Sequence, residues 1–276
     1  IQSSLVDENA LKPWDRNVEN LKKEEGLHPN TKAELSALTE SQLAGPVRII
    51  LEKLKMAKRP VVFAGAGVRI SGSHDLFLKI IERLGVPVVS GWNAHDVLSS
   101  NHAQYAGRPG TVGDRAGNFT VQNADFLLIL GSRLNIRQTS YNWASFGSKA
   151  WKAHVDIDKA EMDKHTLRTD LKVQAHLTDF LREFDKETRN WSAPQEHKNY
   201  LSWCRERVKA YPIVQEEYWR SEKVNPYCFM KELFEELNED EVVVTGDGTA
   251  CVTSFQAGEI KSKTRLYTNS GSASMG

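Results

Sequence analysis

A series of short, unbroken apolar runs constrains this chain more than any other feature. PVVFAGAGV (60–68), VPVVSGWN (86–93), DFLLILGSRL (125–134) and AWKAHVDID (150–158) are four of them, and LKVQAHL (171–177) is a weaker fifth. The runs do not alternate apolar with polar, so both faces of each strand must be covered. Amphipathic helical stretches lie between them, such as SHDLFLKIIERLG (73–85), closed by Gly85, and TDFLREFDKE (178–187). Buried strands alternating with helices predict an α/β fold around a parallel sheet. Several runs close on Gly or Asp, which gathers backbone and carboxylate groups at the carboxyl edge of that sheet. Open α/β sheets bind their ligands at that edge.

The pattern divides the chain. Residues 1–44 are polar, contain Pro13, Pro29 and a KKEE cluster, and read as a linker. A helix follows in GPVRIILEKLKMAKRP, with Val47, Ile50, Leu51, Leu54 and Met56 on one face and Pro60 ending it. The α/β domain is placed at residues 45–187, with residues 94–117 loop-like. Residues 188–224 read as a connecting helical segment with Trp203 and Val208 on its buried side. A second α/β unit starts at residue 225, where Asn225 caps a helix and Pro226 takes its first position. The strand EVVVTG, a glycine turn and a helix in TACVTSFQAGEI complete what is present of it, residues 225–276. The chain starts without Met and in mid-phrase, so it is read as a segment of a longer protein.

Charge and cysteine usage exclude several classes. Lys+Arg and Asp+Glu are equal at 36 each, which leaves no basic footprint for nucleic acid. No apolar run approaches the roughly 20 residues of a membrane span, and no signal peptide is recognised. Cys204, Cys228 and Cys251 form no CxxC pair, which argues against zinc and fits a cytoplasmic protein. His95, His102 and His154 have no spaced partner and read as structural.

The glycine loops suggest a phosphate ligand. GAGVRISG (65–72) lets the backbone pass close to a ligand before a helix N-terminus. Its spacing is not GxGxxG, and a tight turn without ligand explains Gly65 and Gly67 equally well. The other strand ends agree with a site: Gly91, Gly131 with Arg133 and Arg137 for a diphosphate, and Asp156 or Asp158 for a ribose hydroxyl. Each charged group also reads as a surface ion pair. VVVTGDG (242–248) raises a different question, since an Asp between glycines after a strand suits Mg²⁺ beside a diphosphate.

The phrases RPVVFAGAGV, GVPVV, NADFLLILGSRLNIR, HVDID, EVVVTGDG and SGSASMG, in this order, resemble thiamine-diphosphate enzymes of the acetolactate synthase type. The resemblance implies three α/β domains, of which this chain carries the central one and the start of the third. The central domain would be Rossmann-like (DHS-like, FAD/NAD-binding type), with FAD, ADP or no nucleotide at Gly65, Gly67, Gly91, Gly131, Arg133, Arg137, Asp156 and Asp158. Ala175-His176 stands where acetolactate synthases carry a Gly-Asp near the flavin, a departure that counts against FAD. The catalytic glutamate would lie in a first domain not included here. Gly248, Thr249 and Ala250 would cradle the diphosphate, and Ser272, Ala273 and Met275 would hold the aminopyrimidine. The family's metal-binding Gly-Asp-Gly comes after an SGGLGTMG-like phrase, which SGSASMG resembles. The Mg²⁺ carboxylate is therefore expected beyond Gly276, and Asp247 is moved from metal ligand to turn residue.

The implied reaction is decarboxylation of a 2-oxo acid such as pyruvate, with transfer of the two-carbon unit to an acceptor carbonyl. A homodimer or homotetramer is expected of the full protein. Three alternatives stand beside it: a thiamine-diphosphate-dependent decarboxylase, a sirtuin-like or other NAD-binding domain, and a non-catalytic nucleotide-binding domain.

Overall fold

The computed structural model describes residues 37–269. The chain enters through helix α1 (Glu40–Met56), where Gln42 reaches back to accept from the Thr39 amide at 3.0 Å. Residues 1–36 of the expected linker lie outside the described residues, and its last residues already belong to α1. Strand β1 (Pro60–Ala64), the one-turn helix α2 (Gly67–Ile70), helix α3 (His74–Leu84) and strand β2 (Val88–Ser90) follow. Gly85 ends α3 in the left-handed conformation, φ 64°, that a side chain would resist.

Helix α4 (Arg115–Asn123), β3 (Phe126–Leu130), the short α5 (Ile136–Thr139), β4 (Trp151–Asp156), α6 (Lys159–Asp163), β5 (Leu171–Gln174) and α7 (Leu177–Glu187) build the rest of the first layer set. The five strands are parallel in the order β2-β1-β3-β4-β5. The chain leaves β1 on one side for β2 and returns on the other side for β3. The strand order therefore reverses between β1 and β3, and the loops after these two strands face each other.

Every residue of β1 and β3 is buried, and alternation sends them to two cores. Val62, Ala64, Leu128 and Leu130 meet α1, α3 and α7 through Leu43, Ile50, Phe77, Ile81, Phe180 and Phe184. Val61, Phe63, Leu127 and Ile129 meet α4 and helix α8 (Gln195–Ala210) through Val121, Tyr200 and Cys204. The unbroken apolar runs are thus the signature of a sheet sandwiched between helices.

Three local expectations differ from what forms. Met56 is 77% exposed. It lies two residues from the buried Leu54, and a step of two carries a helical residue to the opposite side. Residues 115–117 are helix, not loop: Asp114 caps α4 by accepting from the Gly117 amide at 2.5 Å. In α8 the fully buried line is His197, Tyr200 and Cys204, and Trp203 and Val208 are only half-buried.

The chain then passes helix α9 (Pro226–Glu236), where Asn225 accepts from the Tyr227 amide at 2.9 Å. Strand β6 (Val242–Thr245), helix α10 (Thr249–Ala257) and strand β7 (Arg265–Thr268) follow, with β6 and β7 parallel. Phe234, Ile260 and Leu266 pack with Val243 on one face of this strand pair. The residues that alternate with them, Val242, Val244 and Tyr267, are 59%, 74% and 49% exposed.

Candidate functional site

The carboxyl edge of the large sheet brings the predicted glycines together, but against each other. The Gly67 amide donates to the Gly131 carbonyl at 3.0 Å, and the Gly65 amide to the Leu130 carbonyl at 2.8 Å. A Cβ on Gly65 would stand 2.1 Å from the Gly131 oxygen, and one on Gly67 would stand 2.7 Å from the Gly131 Cα. These glycines let two backbones touch across the reversal point. Gly131 also takes φ +55°, a conformation that favours glycine. A Cβ on Gly91 would meet Phe63 Cε1 at 3.3 Å, so the β2 end is a packing contact as well.

Arg133, Asp156 and Asp158 at this edge are engaged by the protein itself. Arg133 Nη2 lies 2.6 Å from Glu161 Oε1. Asp158 caps α6, accepting from the Ala160 and Glu161 amides at 2.9 and 3.3 Å. Asp156 is buried, which pushes its carboxyl above the ordinary range, and it accepts from the Asp158 amide at 3.0 Å. His154 is fully buried beside it and donates from Nε2 to the Ser132 carbonyl at 2.9 Å. Burial pushes its pKa down to about 4, so the ring is neutral. Arg137 has an exposed side chain, while its carbonyl accepts from the Thr111 amide at 2.7 Å.

One opening lies a step away. A cavity of about 170 Å³ is walled by Pro109, Gly110 and Thr111 with Asn118 of α4, and by Gln138 and Thr139 of α5. None of these was singled out in the sequence, where only the glycine and proline content of GRPG marks the loop. The volume is below the roughly 300 Å³ at which small-molecule pockets begin. With the glycines closed on each other, Arg133 paired and Asp158 capping, the residues named for FAD do not fit a dinucleotide.

The other two histidines are structural. His95 is buried with its ring nitrogens 2.5 and 2.8 Å from the Trp92 and Leu266 carbonyls. His102 Nε2 lies 3.5 Å from Glu82. The three cysteines are free and buried. Among the described residues no group of three or more His, Cys, Asp or Glu is gathered as a metal site requires.

The turn after β6 has the opposite character. Gly248 takes φ +70° and ψ −136°, a region that side chains resist. A Cβ on Gly246 or Gly248 would meet nothing within 4 Å. Conformation, not crowding, requires glycine at Gly248. Helix α10 starts there with no side-chain cap, so Thr249 and Ala250 bring the first amides of a nine-residue helix to an open surface. Such an end carries about half a positive charge and accepts anions. Asp247 is half-buried, and its carboxylate lies 3.9 Å from Cys251 Sγ. Burial first, and Asp247 second, push the Cys251 thiol up. Ser272, Ala273 and Met275 lie outside the described residues.

The sequence matches the family model of the thiamine pyrophosphate enzyme central domain over residues 47–184. It is 28% identical to an acetolactate synthase large subunit of Lactococcus lactis over 227 residues, which are 82% of this chain and 38% of that protein. It is 31% identical to a probable acetolactate synthase large subunit of Methanococcus aeolicus, over 54% of this chain and 25% of the relative. Acetolactate synthase isozyme 3 large subunit of Escherichia coli K12 is 28% identical, over 74% of this chain and 35% of the relative. The chain thus spans well under half the length of these curated relatives. The matched residues run from α1 through the whole five-stranded sheet to α7 and make up half of the chain. On this evidence of sequence and sheet together, the chain belongs to the thiamine pyrophosphate enzyme family and is acetolactate synthase-like.

Proposed function

We propose that the chain is the central domain and the start of the diphosphate-binding domain of a thiamine-diphosphate-dependent enzyme. The enzyme would decarboxylate a 2-oxo acid such as pyruvate and pass the two-carbon unit to an acceptor carbonyl. The observation that carries this reading is the open, glycine-dependent turn at Gly248, set at the N-terminus of α10. Its donor set suits a diphosphate, because main-chain amides at a helix end offer several aligned N–H groups without a competing side chain.

Gly248, Thr249 and Ala250 would hold the diphosphate, and Ser272, Ala273 and Met275 the aminopyrimidine. Bound there, thiamine diphosphate supplies the electron sink for decarboxylation. This chain's own share is to fix the diphosphate end and to orient it. Mg²⁺ would share the diphosphate with a carboxylate later in the chain, and the catalytic glutamate would come from another domain. In this reading the domain boundaries of residues 45–187 and 225–276 are those of the working enzyme, a cytoplasmic homodimer or homotetramer. No helix among the described residues is long and apolar enough to cross a membrane. The central domain serves as a packing partner, and no step runs through FAD.

The test is a titration of the natural protein that carries this segment with thiamine diphosphate and Mg²⁺. The wild type binds, and Gly248→Ala weakens binding on the order of tenfold or more, since a side chain there costs about 1–3 kcal/mol of strain. A wild type that does not bind removes the proposal. An unchanged affinity in the folded Gly248→Ala variant places the diphosphate elsewhere.

A further inference from the structure

Arg108 is 2% exposed, the most buried cation among the described residues. It leaves the large sheet's side of the molecule and ends on the C-terminus of α10. Nη1 donates to the Phe255 carbonyl at 2.5 Å and to the Gly258 carbonyl at 3.1 Å, and Nη2 donates to Ser100 Oγ at 3.4 Å. The guanidinium also lies over the rings of Phe255 and Tyr105, 5.9 and 5.8 Å from their centroids. Its main chain is pinned in turn, because the Arg108 amide donates to Asp114 Oδ2 at 2.7 Å, and Asp114 caps α4.

Weaker links reinforce the same end of the helix. Gln256 Nε2 donates to the Val112 carbonyl at 2.7 Å. The Ile260 amide donates to Ser100 Oγ at 3.0 Å, and the Trp92 and Phe255 rings are 4.4 Å apart. A cation on the last carbonyls of a helix offsets its negative end. At the other end, among the described residues, Gly248 opens onto space. The nine residues of α10 span about 13 Å, and a helix transmits position along its axis. Arg108 is therefore too far from Gly248 to touch a ligand there, yet it sets where that end stands.

We propose that Arg108 is a positioning residue for thiamine diphosphate, holding α10 from behind so that its first amides meet the diphosphate. This rests on the reading of the Gly248 turn given above. A buried guanidinium was not needed for that reading, and the glycine-rich loop 107–114 gains a role that its sequence did not suggest. It clamps the diphosphate helix with Arg108 and Val112.

The experiment titrates thiamine diphosphate, with Mg²⁺ present, into the natural protein and into Arg108→Lys and Arg108→Ala. Lysine keeps the charge but cannot reach two carbonyls and a hydroxyl in one plane, so it tests geometry even if the alanine variant does not fold. Both variants lose affinity by about tenfold, the scale of one weak charge-assisted hydrogen bond. Added guanidinium restores the affinity of Arg108→Ala, methylammonium does not, and the substrate KM at saturating cofactor stays unchanged. A folded Arg108→Lys with wild-type affinity overturns the proposal. So does guanidinium that restores thermal stability in Arg108→Ala without restoring affinity. A wild type that binds no thiamine diphosphate overturns the reading of the turn itself, and the wild-type titration alone identifies that case.

Discussion

His154 stands in the middle of β4 with protein on every side. Its Nδ1 is buried without a hydrogen-bond partner, and Nε2 donates to Ser132. The folded pKa of about 4 lies below the ordinary value, chiefly through burial and further through Lys164 and Lys172. Unfolding returns the ring to about 6.5. Between these values the unfolded chain holds the extra proton, so stability is complete above about pH 6.5 and is lost as pH falls towards 4. His154→Gln keeps a donor but cannot titrate. It is expected to reduce the loss at pH 5 by roughly 2 kcal/mol in denaturant melts, and an unchanged acid profile would contradict this assignment. The glycines that follow β1 in the same sheet show why single residues are hard to read. Gly65 and Gly67 looked equally like ligand glycines and packing glycines. A glycine in a sequence records only that a Cβ is unwelcome, and its cause, here the Gly131 backbone, lies 64 residues or more away.

Helices with a strong apolar face were legible, and so was α9 from its Asn225 cap and Pro226, but α4 was not. α3 and α7 carry buried residues at spacings of three and four and were found in place. α4 has only Ala116, Gly117, Thr120 and Val121 to bury, and its clearest signal is Asp114 at the N-cap. Asp158 gives the converse case. It was named for a ribose hydroxyl, and it caps α6 with two backbone amides. Asp158→Ala should therefore lower stability by about 1 kcal/mol in thermal melts and leave cofactor titrations unaltered. A loss of affinity with unaltered stability would return the residue to a ligand role. The turn before α10 was legible as a candidate because Gly-Asp-Gly after a strand has few other uses. Its freedom from neighbours, which separates it from the loops of the large sheet, is a tertiary property that no local pattern carries.

Across the whole molecule, the unbroken apolar runs specified a parallel sheet covered on both faces, and its five strands sit between two helical layers. The runs could not say which loops meet, because strand order depends on crossovers that leave no mark on the strands themselves. The reversal between β1 and β3 decides that the GAGV and GSRL loops close on each other. The same rule, applied to VVVT, asks for cover on both faces of β6, yet one face of the β6–β7 pair is bare among the described residues. Val244, 74% exposed, sits at the centre of it. An exposed apolar face on a short strand pair is a surface for association between molecules. When this segment is produced alone, it should self-associate as its concentration rises, and light scattering will detect this. Val244→Lys should raise the concentration at which scattering begins while changing the melt by less than about 0.5 kcal/mol, as for other surface substitutions. If scattering begins at the same concentration, the sticky surface lies elsewhere.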